Sequence, residues 1–319
     1  RLLERSRARR PWIVTAGALL CAGLALTAWQ SHRTRVARDE AQRQAAIAAA
    51  VNRFMAEDLI GAANPSLSGR RDVTVIDAAR AAMPKLTRRL GNQSPAAQAI
   101  LHLAMGNTLS GLSDARDAIT QDREAVTQFE RVKPPDPAGL TEARIWLAYD
   151  LSRVGQYHEA SALMERVDRD LPQLAQRHPQ LQLHALNVHG TILSDQGNIA
   201  AADVYEQRAW TLAQALPDTS DAQRDQLELD LAQSQDRLGQ LAAGEATLRD
   251  LIARQTGRLG PRHPQTLYSQ ALLASNLVLQ KRMDEAASLI APAVGGLTAS
   301  LGAQARRTKV GGRTLGGAQ

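Results

Sequence analysis

The sequence predicts an all-α protein in which one transmembrane helix is followed by a solenoid of antiparallel helical hairpins. Two observations support this prediction: an uncharged apolar segment near the N-terminus, and a 42-residue repeat in the rest of the chain. The composition agrees with both. Aromatic residues make up only 3% of the chain, and Ala, Leu, Gln, Arg and Glu, which lose little side-chain freedom in a helix, are abundant.

The apolar segment is the stretch 12–29, which has 18 consecutive uncharged positions and a Trp at each end. At about 1.5 Å per residue it is roughly 27 Å long, close to the thickness of the bilayer hydrocarbon. Arginines flank it on both sides and are slightly denser on the amino-terminal side, which predicts a cytoplasmic N-terminus. The alternatives are a cleaved signal peptide, which would need a small-residue cleavage site, and a buried core helix, which would carry a polar stripe.

The other terminal segments are assigned relative to this helix. Residues 1–11 are predicted to be a cytoplasmic juxtamembrane stub, and because the chain begins there with Arg1, we expect a cytoplasmic domain before it. Residues 30–94 are predicted to hold a juxtamembrane helix and linker helices, from apolar spacings of three and four and from loop-forming Pro and Gly. Residues 303–319 are a basic, glycine-rich tail for which we expect disorder, either a true tail or a truncated end.

The repeat fills residues 95–302 with five units of 42 residues and no insertion. Three columns of residues share its register. The first is Gly106, Ala148, Gly190, Ala232 and Ala274; the second is Ala118, Ala160, Ala202, Gly244 and Ala286; the third is Ser113, Gly155, Gly197, Gly239 and Lys281. Small side chains in the first two columns let neighbouring helices approach closely, and the third column suits a left-handed helix cap. One hairpin cannot bury its apolar face alone, so we expect the units to stack.

These units resemble the tetratricopeptide repeat in the 42-residue form found in kinesin light chains. The sequences GQYHEA at 155–160 and KRMDEA at 281–286 look like that family's turn and second-helix motif, and HPQTL at 263–267 is similar to its connector. Arg144 and Glu228 depart from the pattern, because a bulky apolar or aromatic residue is usual there. The resemblance is therefore weakest in the fourth unit.

The resemblance implies that the first helix of each unit lines a concave groove for a peptide or protein segment. Helical spacing then places one position per unit on that face: Asn107, Tyr149, Thr191, Gln233 and Ser275. The turn before adds Leu103, Ile145, Asn187, Leu229 and Ala271, and the turn after adds Arg153, Asp195 and Arg237. We define the candidate groove as Asn107, Tyr149, Arg153, Asn187, Thr191, Gln233 and Arg237. The alternative is that these residues are simply a solvated face.

The sequence pI near 10 comes from the two ends of the chain. Residues 44–302 contain 25 Lys or Arg against 29 Asp or Glu, whereas the flanking segments are strongly basic. Binding to nucleic acid needs clustered positive charge on a folded face, so we expect no nucleic-acid partner for the repeat region. The single cysteine, Cys21, lies in the apolar segment and excludes a disulfide framework.

The sequence contains no recognisable catalytic motif: G-x-S-x-G, the P-loop, G-x-G-x-x-G and H-E-x-x-H are all missing. His178, His184 and His189 are neighbours in sequence, but their spacings of six and five residues do not place two ligands on one helical face. His189 falls in an apolar column and is interpreted as a core residue. We expect no enzyme activity, no cofactor and no metal site in this chain.

Residues 54–65 and 68–75 are similar to a stretch in two bacterial families, the membrane-anchored winged-helix transcriptional regulators and the membrane-anchored serine/threonine kinases. Both families have a cytoplasmic effector domain and repeats outside the membrane, which implies a sensory module at the bacterial inner membrane. The regulator is the favoured hypothesis; a kinase and a stand-alone scaffold are the alternatives. The expected partners are a protein or peptide in the groove, the lipid bilayer and, in a homo-oligomer, a second copy of the chain.

Overall fold

The computed structural model describes residues 94–301 and the single positions 30, 33, 34, 77, 80, 81 and 83. Residues 94–301 form ten helices and contain no strand, so the all-α prediction is confirmed for this part of the chain. The helices are α1 Pro95–Gly111, α2 Ala115–Phe129, α3 Pro137–Arg153, α4 Tyr157–Leu174, α5 Pro179–Asp195, α6 Ile199–Ala215, α7 Asp221–Arg237, α8 Leu241–Leu259, α9 Pro264–Leu279 and α10 Met283–Leu301.

The chain divides into two compact units, residues 1–104 and 105–319. In the described end of the first unit, α1 begins after Ser94, whose hydroxyl accepts a hydrogen bond from the Ala97 amide at 3.3 Å. In the second unit the helices pack as sequential hairpins. Each odd-numbered helix from α3 onward contacts the helix that follows it, and the second helix of one hairpin contacts the first helix of the next.

The localisation predicted from the sequence, a bacterial inner membrane, is corrected here. A bilayer span needs about 20 mostly apolar residues, and no helix among the described residues is long and apolar enough to cross a membrane. The predicted segments 1–11, 12–29 and 303–319, and most of 30–94, lie outside the described residues. The division of the chain into these segments therefore stays a prediction.

The two helices of every hairpin are joined by a turn with the same geometry. The third repeat column has a positive φ throughout: 65° at Ser113, 82° at Gly155 and Gly197, 76° at Gly239 and 64° at Lys281. Two backbone hydrogen bonds recur, as in the second hairpin, where Gly155 N donates to Ser152 O and Gln156 N donates to Leu151 O, both at 2.9 Å. This Schellman arrangement satisfies the last carbonyls of the first helix. The predicted left-handed cap is confirmed.

The small-residue columns lie where helices meet. Three members of the first column, Ala148, Ala232 and Ala274, are completely buried, as are Ala118, Ala160 and Ala202 of the second column. Larger apolar side chains such as Met164 and Ile192 fill the space around them and form a continuous core with Leu151. Burying such apolar surface is the main stabilising contribution to a stack of this kind.

The two residues that depart from the repeat pattern form ion pairs within their hairpins. Arg144 on α3 donates to Asp170 on α4 at 2.9 Å, and Glu228 on α7 accepts from Arg254 on α8. Both pairs are 26 residues apart and occupy the same place in the repeat, with the signs of charge reversed. In the hairpin between them, Leu186 and Leu212 stand at the same two places. A half-buried ion pair thus replaces an apolar contact there.

Reversing the charge of Arg144 tests this pairing. We expect Arg144→Glu to lower the free energy of unfolding by about 1–2 kcal/mol, because the new carboxylate would face Asp170 with only a few polar neighbours. Adding Asp170→Arg should recover most of the loss, since it recreates the order of charges seen at Glu228 and Arg254. Urea unfolding of the two single variants and the double variant measures the coupling.

The control is the exposed ion pair of Arg123 and Glu159, whose side chains are 51% and 47% exposed. The same charge exchange there should change stability by less than about 0.5 kcal/mol. Equal coupling at the two pairs would contradict a special role for the Arg144 position.

Candidate functional site

The predicted groove column lies on one row of the first helices. Within residues 105–301, Asn107, Tyr149, Thr191, Gln233 and Ser275 are all partly exposed. The Thr191 hydroxyl donates to the carbonyl four residues earlier on its own helix at 3.0 Å, and the Gln233 amide does the same at 3.2 Å. Each of these bonds stays within its own helix and does not connect neighbouring hairpins. The row therefore provides one partly exposed side chain from each hairpin.

The positions one turn earlier are placed differently. Ile145 and Ala271 are completely buried, and Leu103 and Leu229 are 8% and 5% exposed, so these four belong to the core. Four residues correspond to slightly more than one helical turn, and this rotation carries these side chains away from the exposed row. Asn187 is the exception and stays partly exposed.

The positions one turn later reach back to the preceding hairpin. Arg153 donates to the carbonyl of Ser110 at 2.9 Å, and Arg237 donates to the carbonyl of Ser194 at 3.1 Å. In the hairpin between them, the same position holds an acid, Asp195. It accepts a hydrogen bond from the Ser152 hydroxyl of the preceding hairpin at 2.8 Å. Each contact spans 43 residues. Two arginines of the candidate groove therefore also connect successive first helices, a role that the sequence analysis did not predict.

An aromatic group stands beside the exposed row on α3 and α5. The rings of Trp146 and Tyr149 meet edge to face with centroids 6.0 Å apart, and Trp146 also contacts the His184 ring at 4.7 Å. The Arg153 guanidinium lies 5.7 Å from the centre of the Tyr149 ring. Burial lowers the pKa of His184 to about 4, so its imidazole is neutral at physiological pH.

Carboxylates from three successive first helices act on the Tyr149 phenol. Burial is the main cause of its raised pKa; the Arg153 charge opposes the shift, and Asp150, Asp195 and Asp230 add to it. These three acids lie on α3, α5 and α7, so charges from three first helices act on one tyrosine. Sequence reasoning identified Asp195 but missed Asp230, because Asp230 shares its repeat position with Trp146 and Val188.

A second group of acids is buried between the helices. Asp122 on α2 and Asp150 on α3 are both completely inaccessible to solvent. Burial, followed by the neighbouring Asp150 charge, raises the pKa of Asp122 to about 8, while Asp150 accepts a hydrogen bond from the Ser110 hydroxyl at 2.8 Å. Asp122 is therefore the partner that keeps a proton. An alanine Cβ at Gly106 would lie 1.9 Å from Asp122 Oδ1.

A buried acid again faces a glycine of the first column two hairpins later. Glu206 on α6 is 4% exposed, and its Cγ would lie 3.0 Å from a Cβ built at Gly190. Burial raises the pKa of Glu206 to about 7. Where the first column holds alanine instead, the facing side chain is apolar: Met164 faces the Ala148 position, and Leu248 faces the Ala232 position.

Metal binding finds no support in the described part of the chain, where no group of three or more His, Cys, Asp or Glu side chains is arranged to hold an ion. His178 and His184 line a cleft of about 450 Å³ at the start of α5, together with Glu142 and Asp218. His189 lies elsewhere, 3.3 Å from Asp168 and with its ring centroid 4.1 Å from that of Tyr205. The structure does not bring the three histidines together.

Comparison with known proteins gives similarity of fold. No family model and no curated protein matches the chain. Among solved structures, a variant of the nearly identical TPR-like repeats of a Podosopora anserina kinesin light chain is 18% identical with a TM-score of 0.55, covering 66% of this chain and 98% of that one. BtubC from P. vanneervenii is 18% identical with a TM-score of 0.56, covering 72% and 92%.

A Rap protein complexed with competence and sporulation factor is 12% identical with a TM-score of 0.56, covering 77% of this chain and 62% of the Rap protein. At these identities the comparison establishes the fold alone. The repeated hairpins, the common turn and these structural similarities agree with one another. The chain has the fold of a tetratricopeptide-like repeat solenoid.

Proposed function

We propose that this chain is a protein-interaction module that binds an extended peptide or protein segment along the candidate groove. The observation that supports it is the row of partly exposed side chains, one per hairpin, that runs from Asn107 through Tyr149 and Thr191 to Gln233. A periodic row of this kind suits an extended ligand, which also repeats its contacts along its length. The Rap protein structures in complex with competence and sporulation factor and with the Phr* peptide support the same role by analogy.

The second part of the proposal concerns the type of protein in which this module acts. A sensory role in a transcriptional regulator is the form we favour, with a kinase or a scaffold as the alternatives. The support is the resemblance of residues 54–65 and 68–75, which lie outside the described residues. The peptide-binding role does not depend on the choice among these three.

Selection of peptides by the full chain tests the proposed function. We expect the immobilised chain to enrich members of a displayed random-heptapeptide library, and the synthesised winners to bind at least tenfold more weakly to Tyr149→Ala. The reason is that a partly buried aromatic side chain at the centre of an interface contributes on the order of 2 kcal/mol to binding. Fluorescence anisotropy with labelled winners measures the dissociation constants.

The matched control is Tyr157→Ala, which removes a partly exposed tyrosine at the start of α4, away from the row. It should leave affinity unchanged. Failure to enrich any peptide above an unrelated helical protein, or equal losses at Tyr149 and Tyr157, would exclude the proposed groove.

A further inference from the structure

A cleft of about 450 Å³ opens at the beginning of α5, within the range of about 300–1,000 Å³ that is usual for ligand sites. Its walls come from three successive hairpins: Glu142 on α3, His184 and residues 177–181 around the first turn of α5, and Asp218 in the connector before α7. The cleft therefore depends on the stacking of the hairpins, and one unit alone would not form it.

The acids of this cleft have no counter-ion. In the part of the chain that the structure describes, neither Glu142 nor Asp218 forms an ion pair or a side-chain hydrogen bond. Arg177 also lines the cleft, but it is exposed and pairs with neither of them. Two carboxylates thus accompany one permanent cation, and the cleft keeps an excess of negative charge.

The neutral imidazole of His184 adds a hydrogen-bond acceptor to the same cleft. Burial lowers the pKa of His184 to about 4, so the ring carries no charge at physiological pH. It forms no hydrogen bond with another described residue, and one nitrogen of a neutral imidazole is an acceptor. Glu142, His184 and Asp218 therefore provide acceptors without partners on three hairpins.

Aromatic rings connect this cleft to the candidate groove. The ring centroids of Tyr149 and Trp146 are 6.0 Å apart, and those of Trp146 and His184 are 4.7 Å apart. Glu142 precedes Tyr149 by roughly two helical turns, so both lie on the same side of α3. A segment bound beside Tyr149 can therefore extend into the cleft.

A second cleft at the same place in the repeat provides an internal comparison. Gln226 lines it at the position that Glu142 occupies in the first cleft. Its volume is about 30 Å³, which leaves room for about two water molecules. Its acid, Asp225, already pairs with Arg258 and accepts a hydrogen bond from Gln255 at 3.0 Å. Of the two clefts, the one at α5 alone combines space for a ligand with acids that lack a counter-ion.

We propose that the cleft at α5 binds an arginine side chain of the bound segment, with the guanidinium group held by Glu142, His184 and Asp218. A guanidinium carries a permanent charge and five N–H donors in a planar fork, so it can serve acceptors on several walls, whereas the ammonium group of lysine is a compact point charge. Its hydrogen bonds to carboxylates are charge-assisted and therefore strong. This inference rests on the proposed function and names a side chain that the partner must carry.

Selection from the random-heptapeptide library by the full-length chain tests the inference. We expect the enriched peptides to share one position dominated by arginine. Replacing that arginine by norleucine should weaken binding to the natural chain about tenfold, and replacing it by lysine should weaken binding by a smaller factor. The variant Glu142→Gln, Asp218→Asn should bind the arginine and norleucine peptides equally, because the amides keep the shape of the cleft and remove its charge.

The control for overall charge is Glu124→Gln, Glu165→Gln, which neutralises two exposed acids on second helices and should keep the full preference. Circular dichroism checks that each variant is folded. Peptides enriched without an arginine position, lysine peptides that bind as tightly as arginine peptides, or a preference unchanged in the Glu142 and Asp218 variant would overturn the inference while the groove itself stands. If no peptide is enriched at all, the proposed function fails and the inference fails with it.

Discussion

Replacing Gly106 by alanine is expected to lower the free energy of unfolding by about 1–3 kcal/mol, although alanine is the better helix former. The new Cβ would lie 1.9 Å from Asp122 Oδ1 and 2.9 Å from its Cγ. Asp122 is completely buried, so its carboxyl group must move within the core or helices α1 and α2 must separate. Urea unfolding, followed by circular dichroism, measures the loss.

Two further variants show whether the Asp122 side chain is the cause. Gly106→Ala combined with Asp122→Ala should recover stability, because the second change removes the clashing atoms. Gly111→Ala on the same helix has no atom within 4 Å of the new Cβ and should be neutral or slightly stabilising. If the losses at positions 106 and 111 were the same, backbone effects would explain both and the packing explanation would be wrong.

The Asp122–Asp150 pair is expected to make the protein less stable as the pH rises. The folded state holds the Asp122 proton up to a pKa of about 8, against an ordinary value of 3.8. The folded state therefore binds more protons than the unfolded chain between about pH 4 and pH 8. The contribution of this group to stability is greatest below that window and falls across it by up to about 1.4 kcal/mol per pH unit.

The variant Asp122→Asn isolates this contribution from other buried acids such as Glu206. The free energy of unfolding, measured by urea titration at pH 5, 6, 7 and 8, should fall less steeply in Asp122→Asn than in the natural chain. Glu124→Gln, an exposed acid on the same helix, should leave the slope unchanged. Parallel curves for the natural chain and Asp122→Asn would contradict the raised pKa of Asp122.

The sequence was sufficient to predict the helical repeat and its turns, because backbone geometry at those positions allows few residue types. Left-handed φ values favour glycine, so Gly155, Gly197 and Gly239 revealed the period. The turns at Ser113 and Lys281 adopt the same conformation without glycine. They were identified by register alone, since the repeat length leaves no other place for them.

The candidate site was only partly predictable, because residues three or four apart on a helix do not point in the same direction. That uncertainty placed Ile145 and Leu229 on the groove face, whereas both are buried. Spacing also cannot show that Arg153 and Arg237 bond to the preceding hairpin, since such contacts depend on the distance between helices. Asp230 was overlooked for a related reason: its effect on the pKa of Tyr149 acts between helices and cannot be read from its own repeat position.

The first three seams between hairpins alternate between polar and apolar side chains, which limits how these hairpins can be rearranged. Asp122 meets Asp150 in the next hairpin and Glu206 meets Ser234, whereas Met164 meets Ile192. Deleting the second hairpin would set the Asp122 carboxyl against Ile192, a buried polar group without a partner. Deleting the second and third hairpins together would set it against Ser234, which already accommodates an acid. Loss of the second and third hairpins together should therefore lower stability less than loss of the second hairpin alone.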